Sequence, residues 1–165
     1  HPLVLAFSPG SHQLAEMNYL VFEAIAASQI LFVNKEEGER ILEKKGEKAQ
    51  DMKELLKKLS ALGPSIVSVT DGKEGGYAYS ENVYYAISSY DKESETVDKT
   101  GAGDAYASAF FAAHLLSKDI KTAMRWGAVN ANSVMQKIGA QDGLLTEQEI
   151  QSMLGQRPDF QVEQI

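Results

Sequence analysis

Cysteine is missing from this 165-residue chain, so disulfides and thiolate metal sites are excluded. No apolar run approaches the roughly 20 residues that a membrane span needs, and no basic stretch followed by an apolar leader stands at the N-terminus. Basic residues are in the minority, 16 against 23 acidic ones, and the net charge of −7 disfavours binding to nucleic acid, whose phosphates it would repel. These absences predict a soluble, cytoplasmic protein without a nucleic-acid or membrane partner.

The apolar content of the chain is sufficient for one good core, because 44% of the residues are hydrophobic. An apolar run of strand length, residues 3–7, follows directly after His1-Pro2. The chain is therefore expected to begin inside a fold and to be a piece of a larger protein.

Strand and helix patterns alternate over the first 70 residues. Short loops between such elements indicate right-handed crossovers and a parallel α/β sheet. Apolar runs around Ser80-Glu81-Asn82 indicate a hairpin at the sheet margin. The predicted strands are 3–7, 30–33, 66–69, 76–79 and 83–87, and the predicted helices are 14–28, 34–45, 48–62, 104–117, 119–137 and 146–154.

Three loops carry polar or glycine-rich sequence where predicted strands end or a helix begins. Residues 34–37 (NKEE) follow the second strand, residues 70–76 (TDGKEGG) follow the third, and residues 98–104 (DKTGAGD) precede a helix. Ligands in open α/β sheets bind where the carboxyl ends of strands meet helix N-termini. Three such loops at one edge would suit the phosphates of a nucleotide and their Mg²⁺ ion.

The glycines of DKTGAGD let the backbone come close to a ligand, and unpaired N–H groups point out of a helix that begins at or near Asp104. A carboxylate there would be repelled by an anion unless it takes part in the chemistry. In phosphoryl transfer an aspartate often accepts the proton of the acceptor hydroxyl. Asp104 is thus predicted to be a general base, and the amides of Gly101, Ala102 and Gly103 an anion hole.

Each loop also has a simpler explanation, and the sequence alone leaves these alternatives open. Asn34 can cap its helix, with Glu37 favouring the N-terminal dipole. Residues 70–75 can form an ordinary turn into the hairpin, and Asp104 can merely complement the helix macrodipole. The Lys- and Glu-rich stretch 35–58 is interpreted as a solvated helix face.

DKTGAGD strongly resembles the second signature of the ribokinase-like carbohydrate kinases, the PfkB family, which reads D-T/S-T-G-A-G-D. Three further stretches are similar to family elements, in the family's order. Residues 34–37 resemble its N-x-x-E element, residues 70–75 its nucleotide-phosphate loop, and residues 137–141 (KIGAQ) its late G-A-Q turn. The resemblance implies a three-layer α/β fold, with a mainly parallel sheet between helices and a hairpin at its margin.

For function, the resemblance implies an ATP-dependent kinase acting on a hydroxyl of a sugar or nucleoside. It assigns Asp104 as the catalytic base and places Gly101, Ala102 and Gly103 around the anion hole. It also implies that Glu37 lies near the Mg²⁺ ion. The remaining nucleotide contacts that it implies are Asn34, Thr70, Gly72, Gly75 and Gly139.

The G-A-Q turn carries two further implications. In many family members it borders a monovalent-cation site, which here would involve Asp98, Thr100 and Gly139 and would take K⁺. Gly143 stands where ribokinase has a serine at that site. Two asparagines on the preceding helix are open to two interpretations, contact with the adenine or polar groups inside a helix: Asn130 and Asn132.

Family members are roughly twice as long as this chain, within the ordinary range of domain sizes. The resemblance therefore implies the C-terminal, nucleotide-binding part of the fold, without the N-terminal half that supplies the first glycine-rich signature, most sugar-binding residues and a small β lid. We expect the chain to be inactive alone. We also expect it to self-associate through the strand edge uncovered near residues 3–7.

Two other classes of protein compete with a kinase. A non-catalytic nucleotide-binding module would not need Asp104, so the combination of a base and an anion hole favours the enzyme. A dinucleotide-binding oxidoreductase is disfavoured, because Ser8-Pro9-Gly10 follows the first predicted strand where G-x-G-x-x-G would be expected.

Overall fold

The structure is a computed structural model that describes residues 3–16, 18–91, 96–116 and 118–165. Its strands are β1 (Ala6–Phe7), β2 (Ile30–Asn34), β3 (Ile66–Thr70), β4 (Gly76–Ser80), β5 (Val83–Ile87) and β6 (Glu163–Gln164). Its helices are α1 (Ser11–Glu16), α2 (Tyr19–Ala27), α3 (Lys35–Lys44), α4 (Met52–Ser60), α5 (Ala102–Leu115), α6 (Ile120–Met135) and α7 (Glu147–Gln156), with a short 3-10 helix at Gly72–Glu74.

The six strands form one mixed sheet in the order β1-β2-β3-β4-β5-β6. β2 is parallel to both β1 and β3, which confirms the predicted parallel α/β pattern of the first 70 residues, whereas β5 and β6 are antiparallel. The chain divides into two compact units. The first comprises His1–Asp71, Tyr77–Tyr84 and Ile165, and the second comprises Gly72–Gly76 and Tyr85–Gln164.

In the first unit, helices cover one face of β2 and β3. Leu31 lies opposite Val67, and Val33 lies opposite Val69 in the parallel register, so these four buried side chains share one face of the pair. Both strands are buried up to their last residue, which is why they read as continuous apolar runs. The rest of this buried core comes from the helices: Leu14, Val21, Ile25, Ile41, Leu42, Leu55, Leu56 and Leu59.

Side-chain caps set helix boundaries that apolar spacing does not reveal. Asn18 caps α2 by accepting a hydrogen bond from the Leu20 N–H at 3.0 Å, and it divides the region 14–28 into two helices, so the prediction of one helix there is wrong. Asp51 caps α4 by accepting from the Glu54 N–H at 2.8 Å, so this helix begins at Met52 and not at residue 48. The first strand, predicted over 3–7, has only two residues.

The predicted hairpin is confirmed. Glu81 and Asn82 form its two-residue loop and both have positive φ, 52° and 64°, the combination that a type I′ turn requires. β6 pairs with β5 and extends the sheet by one strand past the hairpin. This strand was not predicted, because two exposed polar residues carry no period-2 signal.

In the second unit, α5 packs on α6, and α6 also contacts α7. The α5–α6 approach is close at Gly127, where an added Cβ would lie 2.8 Å from the Tyr106 ring. The C-terminal region is held by Tyr90, whose hydroxyl donates to the Met153 carbonyl at 2.9 Å and whose ring meets Phe160 edge-on, 5.0 Å between centroids. Among the described residues, no helix is both long and apolar enough to cross a membrane.

Two helical glycines should respond in opposite ways to alanine. Gly127→Ala is expected to lower the free energy of unfolding by about 1–3 kcal/mol, because the methyl group would overlap the Tyr106 ring and backbone. Gly155→Ala in α7 is the matched control: no described atom lies within 4 Å of its added Cβ, so it should be neutral or stabilise by up to about 1 kcal/mol. Urea unfolding of both variants checks this, and equal effects of the two substitutions would contradict the α5–α6 packing.

Candidate functional site

The carboxyl end of β2 carries a complete capping box. The Asn34 side chain accepts from the Glu37 N–H at 2.9 Å, and Glu37 Oε2 accepts from the Asn34 N–H at 2.8 Å. The simpler explanation of this motif, a helix cap, is therefore part of its role. The cap uses Oε2 of Glu37, so the other carboxylate oxygen, Oε1, takes no part in the capping box.

Thr70 lies beside Asn34, because these last residues of β3 and β2 are partners in the parallel ladder. The first residues of these two polar loops therefore lie at the same edge of the sheet, as predicted. The next residues, Asp71 and Lys35, form an ion pair with 3.2 Å between Oδ2 and Nζ. The hydrogen bond and the negative charge of Asp71 raise the pKa of Lys35 above its usual value. This pair was not predicted from the sequence, since its partners are 36 positions apart.

Two glycines of the 70–76 loop were predicted to contact the nucleotide, and they differ in their surroundings. Gly75 has a φ of +105°, and an added Cβ would collide with the Ile87 carbonyl oxygen, so glycine is required there by packing alone. Gly72 also has a positive φ, +53°, but no described atom lies within 4 Å of its added Cβ. Gly72 is therefore the one of the two that is open to a ligand.

In the second unit, the Asp98 carboxylate organises the loop before α5. Its Oδ1 accepts from the Thr100 N–H at 2.9 Å and from the Thr100 hydroxyl at 2.7 Å, and its Oδ2 accepts from the Gly139 N–H at 3.0 Å. Donation by Thr100, and secondarily by Gly139, lowers the pKa of Asp98 to about 2. The three residues that were predicted to surround a cation, Asp98, Thr100 and Gly139, thus lie together. Direct hydrogen bonds between them hold this arrangement.

α5 begins at Ala102, two residues before the predicted start at Asp104, and its N-cap is Gly101, which has no side chain to cap it. The φ of Gly101 is +78°, a left-handed conformation that suits glycine. The Ala102 N–H donates to the Lys99 carbonyl at 3.2 Å, so one of the three predicted anion-hole amides already has a partner. Gly103 and Asp104 are exposed in the first turn.

The G-A-Q turn packs directly on the DKTGAGD loop. A Cβ added at Gly101 would lie 2.5 Å from the Ala140 Cβ and 2.9 Å from its Cα. Together with the bond from Gly139 to Asp98, this contact fixes the N-terminus of α5 against the turn. Sequence reasoning identified both motifs but not their contact, for which the only local signal is the Asp-x-Thr spacing typical of an Asx turn.

Gly143 has a structural reason for lacking a side chain. An added Cβ would lie 2.5 Å from the Ser133 carbonyl oxygen and 2.6 Å from the Val134 Cα. Because both atoms belong to the backbone of α6, neither can move as a flexible side chain would. A serine at this position would therefore displace the loop or the helix.

The two asparagines of α6 have different environments. The buried Asn130 donates from Nδ2 to the Ala105 carbonyl at 2.8 Å and accepts at Oδ1 from the Leu145 N–H at 2.9 Å. It joins α5, α6 and the segment before α7, so it is a polar group inside the helical core. Asn132 is 7% exposed, and its Oδ1 has no hydrogen-bond partner among the described residues.

The predicted site residues thus fall into two groups. Asn34, Glu37 and Thr70 lie together in the first unit. The second unit contains the loops 98–104 and 137–141. It also contains Gly72 and Gly75. That the third polar loop lies at the same sheet edge as the first two stays a prediction. No group of three carboxylates or imidazoles able to hold a metal ion occurs within the described parts of the chain.

Comparison with known proteins identifies a family and several relatives. The model of the pfkB family carbohydrate kinases matches residues 13–147. The 5-dehydro-2-deoxygluconokinase of Halalkalibacterium halodurans is 28% identical over 150 residues, which cover 91% of this chain and 45% of that protein. The nucleoside kinase of Methanothermobacter thermautotrophicus is 31% identical over 141 residues, which cover 86% of this chain and 42% of that protein.

A solved structure shows the same fold. The putative ribokinase II from E. coli, in complex with ATP and Mg²⁺, superposes with a TM-score of 0.80 at 22% identity, covering 93% of this chain and 49% of that one. The three-layer ribokinase-like prediction is thereby confirmed for this part of the fold. The chain spans about half the length of the relatives it matches.

The geometry of Asp98 predicts the effect of Asp98→Asn. Asparagine has one acceptor oxygen where aspartate uses two, so its amide would face a donor, either Thr100 or Gly139. We expect hydrogen exchange of the Thr100 or Gly139 amide to accelerate about tenfold, the equivalent of one lost hydrogen bond. NMR exchange measures this, with Asp142→Asn, an exposed residue of the next loop, as the control. Unchanged exchange at both amides would contradict the anchoring role.

The same anchor should respond to pH. The folded pKa of Asp98 lies below its ordinary value of 3.8, so the stabilisation is present above about pH 4 and is lost as pH falls through about 2. The amide resonances of Thr100 and Gly139 should titrate together over that range. In Asp98→Asn this low-pH transition should be absent.

Proposed function

Since the chain belongs to the pfkB family of carbohydrate kinases, we propose that it is the nucleotide-binding part of an ATP-dependent kinase that phosphorylates a hydroxyl of a sugar or nucleoside. The relatives named 5-dehydro-2-deoxygluconokinase and nucleoside kinase support both classes of acceptor. The N-terminal half of the kinase would bind most of the acceptor and carry the lid. This division agrees with the chain's coverage of about half of each relative.

The first turn of α5 is the observation that carries the proposal. Gly101 adopts a left-handed conformation, no described atom lies within 4 Å of an added Cβ at Gly103, and Asp104 is exposed in the same turn. A helix N-terminus of this kind attracts an anion through its dipole and its amides. The residues present therefore fit a phosphate group beside a carboxylate.

In this proposal the chain's groups have separate roles. The Asp104 carboxylate accepts the proton of the acceptor hydroxyl, and the amides of 101–103 donate hydrogen bonds to the anion. The Ala102 N–H is shared with the Lys99 carbonyl. Asp98 holds this turn through Thr100 and Gly139. When bound, ATP supplies the phosphoryl group and Mg²⁺ neutralises its charge.

The first unit would contribute to the nucleotide and its metal ion. Thr70 offers a hydroxyl at the end of β3. Gly72, which belongs to the second unit, has no described atom within 4 Å of an added Cβ and so leaves space for phosphates to approach its loop. Glu37 would face the Mg²⁺ with its second oxygen while Oε2 keeps the capping bond to Asn34. A site with few protein carboxylates suits Mg²⁺, which in kinases is bound largely by water and substrate phosphates. A K⁺ ion near Asp98 and Thr100 is a further part of the proposal.

Nucleotide binding by the chain is the direct test. We expect the 165-residue chain to bind MgADP weakly, near millimolar Kd, by titration calorimetry. Thr70→Ala should weaken binding several-fold, whereas Asp104→Asn should leave it unchanged or tighten it, because a negative charge beside the phosphates is removed. Ser152→Ala, which removes an exposed hydroxyl on α7, is the matched control. A wild-type chain with no heat and no thermal shift would count heavily against the proposal.

Turnover should require both halves of the fold. Positioning of the acceptor provides much of the rate in such reactions, so the isolated chain should release no acceptor-dependent ADP with a panel of sugars and nucleosides. In a polypeptide that carries both halves, Asp104→Asn should lower kcat by about 10²–10⁴-fold. A loss of only a few-fold would show that the base is another group, and no loss at all would favour a role in binding alone.

Light scattering completes that experiment. β1 is the first strand of the sheet order, and Leu3 beside it is 93% exposed, so the isolated chain should self-associate. Acceptor-dependent turnover by a monodisperse monomer would contradict the proposal that this is only half of the catalytic fold.

A further inference from the structure

An ion pair lies where the first two polar loops leave the sheet. Asn34 and Thr70 are partners in the parallel ladder, so the residues that follow the two strands, Lys35 and Asp71, lie side by side. Their charged atoms are 3.2 Å apart. The side chains are 46% and 27% exposed, so the pair lies at the surface, and the aspartate is the more covered partner.

The position of Lys35 is unfavourable for its own helix. It is the first residue of α3, where the helix dipole favours negative groups, and Glu36 and Glu37 follow it in the same turn. A lysine there opposes the dipole and gains nothing from the cap between Asn34 and Glu37. Its hydrogen bond and its ion pair are with Asp71, outside the helix, while Glu39 one turn along α3 adds a weaker attraction.

Asp71 creates a second electrostatic problem. It stands between Thr70 and Gly72, within the loop that would approach nucleotide phosphates under the proposed function. An unpaired carboxylate there would repel the phosphates, since like charges interact over the Debye length of about 10 Å at 0.1 M salt. A cation at 3.2 Å opposes that repulsion, because a paired lysine and aspartate together carry no net charge.

We propose that Lys35 is the charge-neutralising residue of the nucleotide loop: its ammonium group pairs with Asp71 and cancels the carboxylate that would otherwise repel the phosphates. This inference rests on the proposed function. It differs from a purely structural tie in a measurable way. A tie is lost equally when either partner is removed, whereas neutralisation fails only when the carboxylate stays and the cation is lost.

The test is a double-mutant cycle on the 165-residue chain, with the Kd of MgADP measured by titration calorimetry at low salt. Lys35→Met should raise Kd about fivefold, because it exposes the carboxylate. Asp71→Asn should change Kd by less than about twofold or lower it, and the double variant should resemble Asp71→Asn. Lys35→Arg should keep wild-type affinity, because it keeps the charge.

Two controls separate charge from folding. Lys44→Met removes the same charge from the last turn of α3, about 13 Å farther along the helix, and should leave Kd unchanged. In about 0.5 M salt the effect of Lys35→Met should shrink to below about twofold, because screening weakens the repulsion. All variants should unfold within a few degrees of wild type, since exposed ion pairs contribute little to stability.

The outcomes divide cleanly between the two proposals. If the wild-type chain binds MgADP and Asp71→Asn weakens it as much as Lys35→Met does, the neutralising role is wrong and the proposed function stands. A salt-independent effect of Lys35→Met also overturns the inference. If the wild-type chain does not bind MgADP, the proposed function fails and this inference fails with it.

Discussion

The carboxylate of Asp98 is the interaction on which the second unit's loops depend. One side chain receives both donors of Thr100 and the amide of Gly139, and so connects segments about 40 positions apart in sequence. Because its two oxygens face different loops, neither loop can shift without losing a charge-assisted hydrogen bond. The same two loops meet again where the left-handed Gly101, the N-cap of α5, packs against Ala140.

A comparable constraint governs the first unit, but it is made by the backbone. The parallel register between β2 and β3 places Asn34 beside Thr70 before any side chain is considered. The buried pairs of Leu31 with Val67 and Val33 with Val69 fix that register, because a slip by one residue would turn the apolar set to the opposite face. Core packing thus decides which polar residues meet at the carboxyl edge.

The sequence predicts most of this fold because its signals are local. The runs at 30–33 and 66–69, the helical spacing in 104–117 and the turn at Glu81-Asn82 each report their structure within a few residues. The prediction fails where a single polar side chain overrides periodicity, as Asn18 does, or where a strand is too short to show a pattern, as with β6. The resemblance to the PfkB family, by contrast, rests on four motifs in the family's order. The match of the family model to residues 13–147 confirms the family.

The site is predicted as motifs but not as contacts. Residues 34–37, 70–75 and 98–104 stand out by composition, whereas the pairing of Lys35 with Asp71 and of Asp98 with Gly139 joins residues 36 and 41 positions apart. No local rule gives such distances, since they depend on the register and on loop packing. Composition also cannot separate Gly72 from Gly75, of which one faces open space and the other is enclosed by backbone.

The close approach at Gly143 limits how this protein can change. Ser133 and Val134 present backbone atoms within 2.6 Å of an added Cβ, so a side chain with an oxygen ligand fits at that position only if the loop or the end of α6 moves. Engineering a serine there would first require room in the helix–loop contact. The glycine therefore limits which residues this turn accepts, and a variant with a side chain there would need a compensating change in the helix–loop contact.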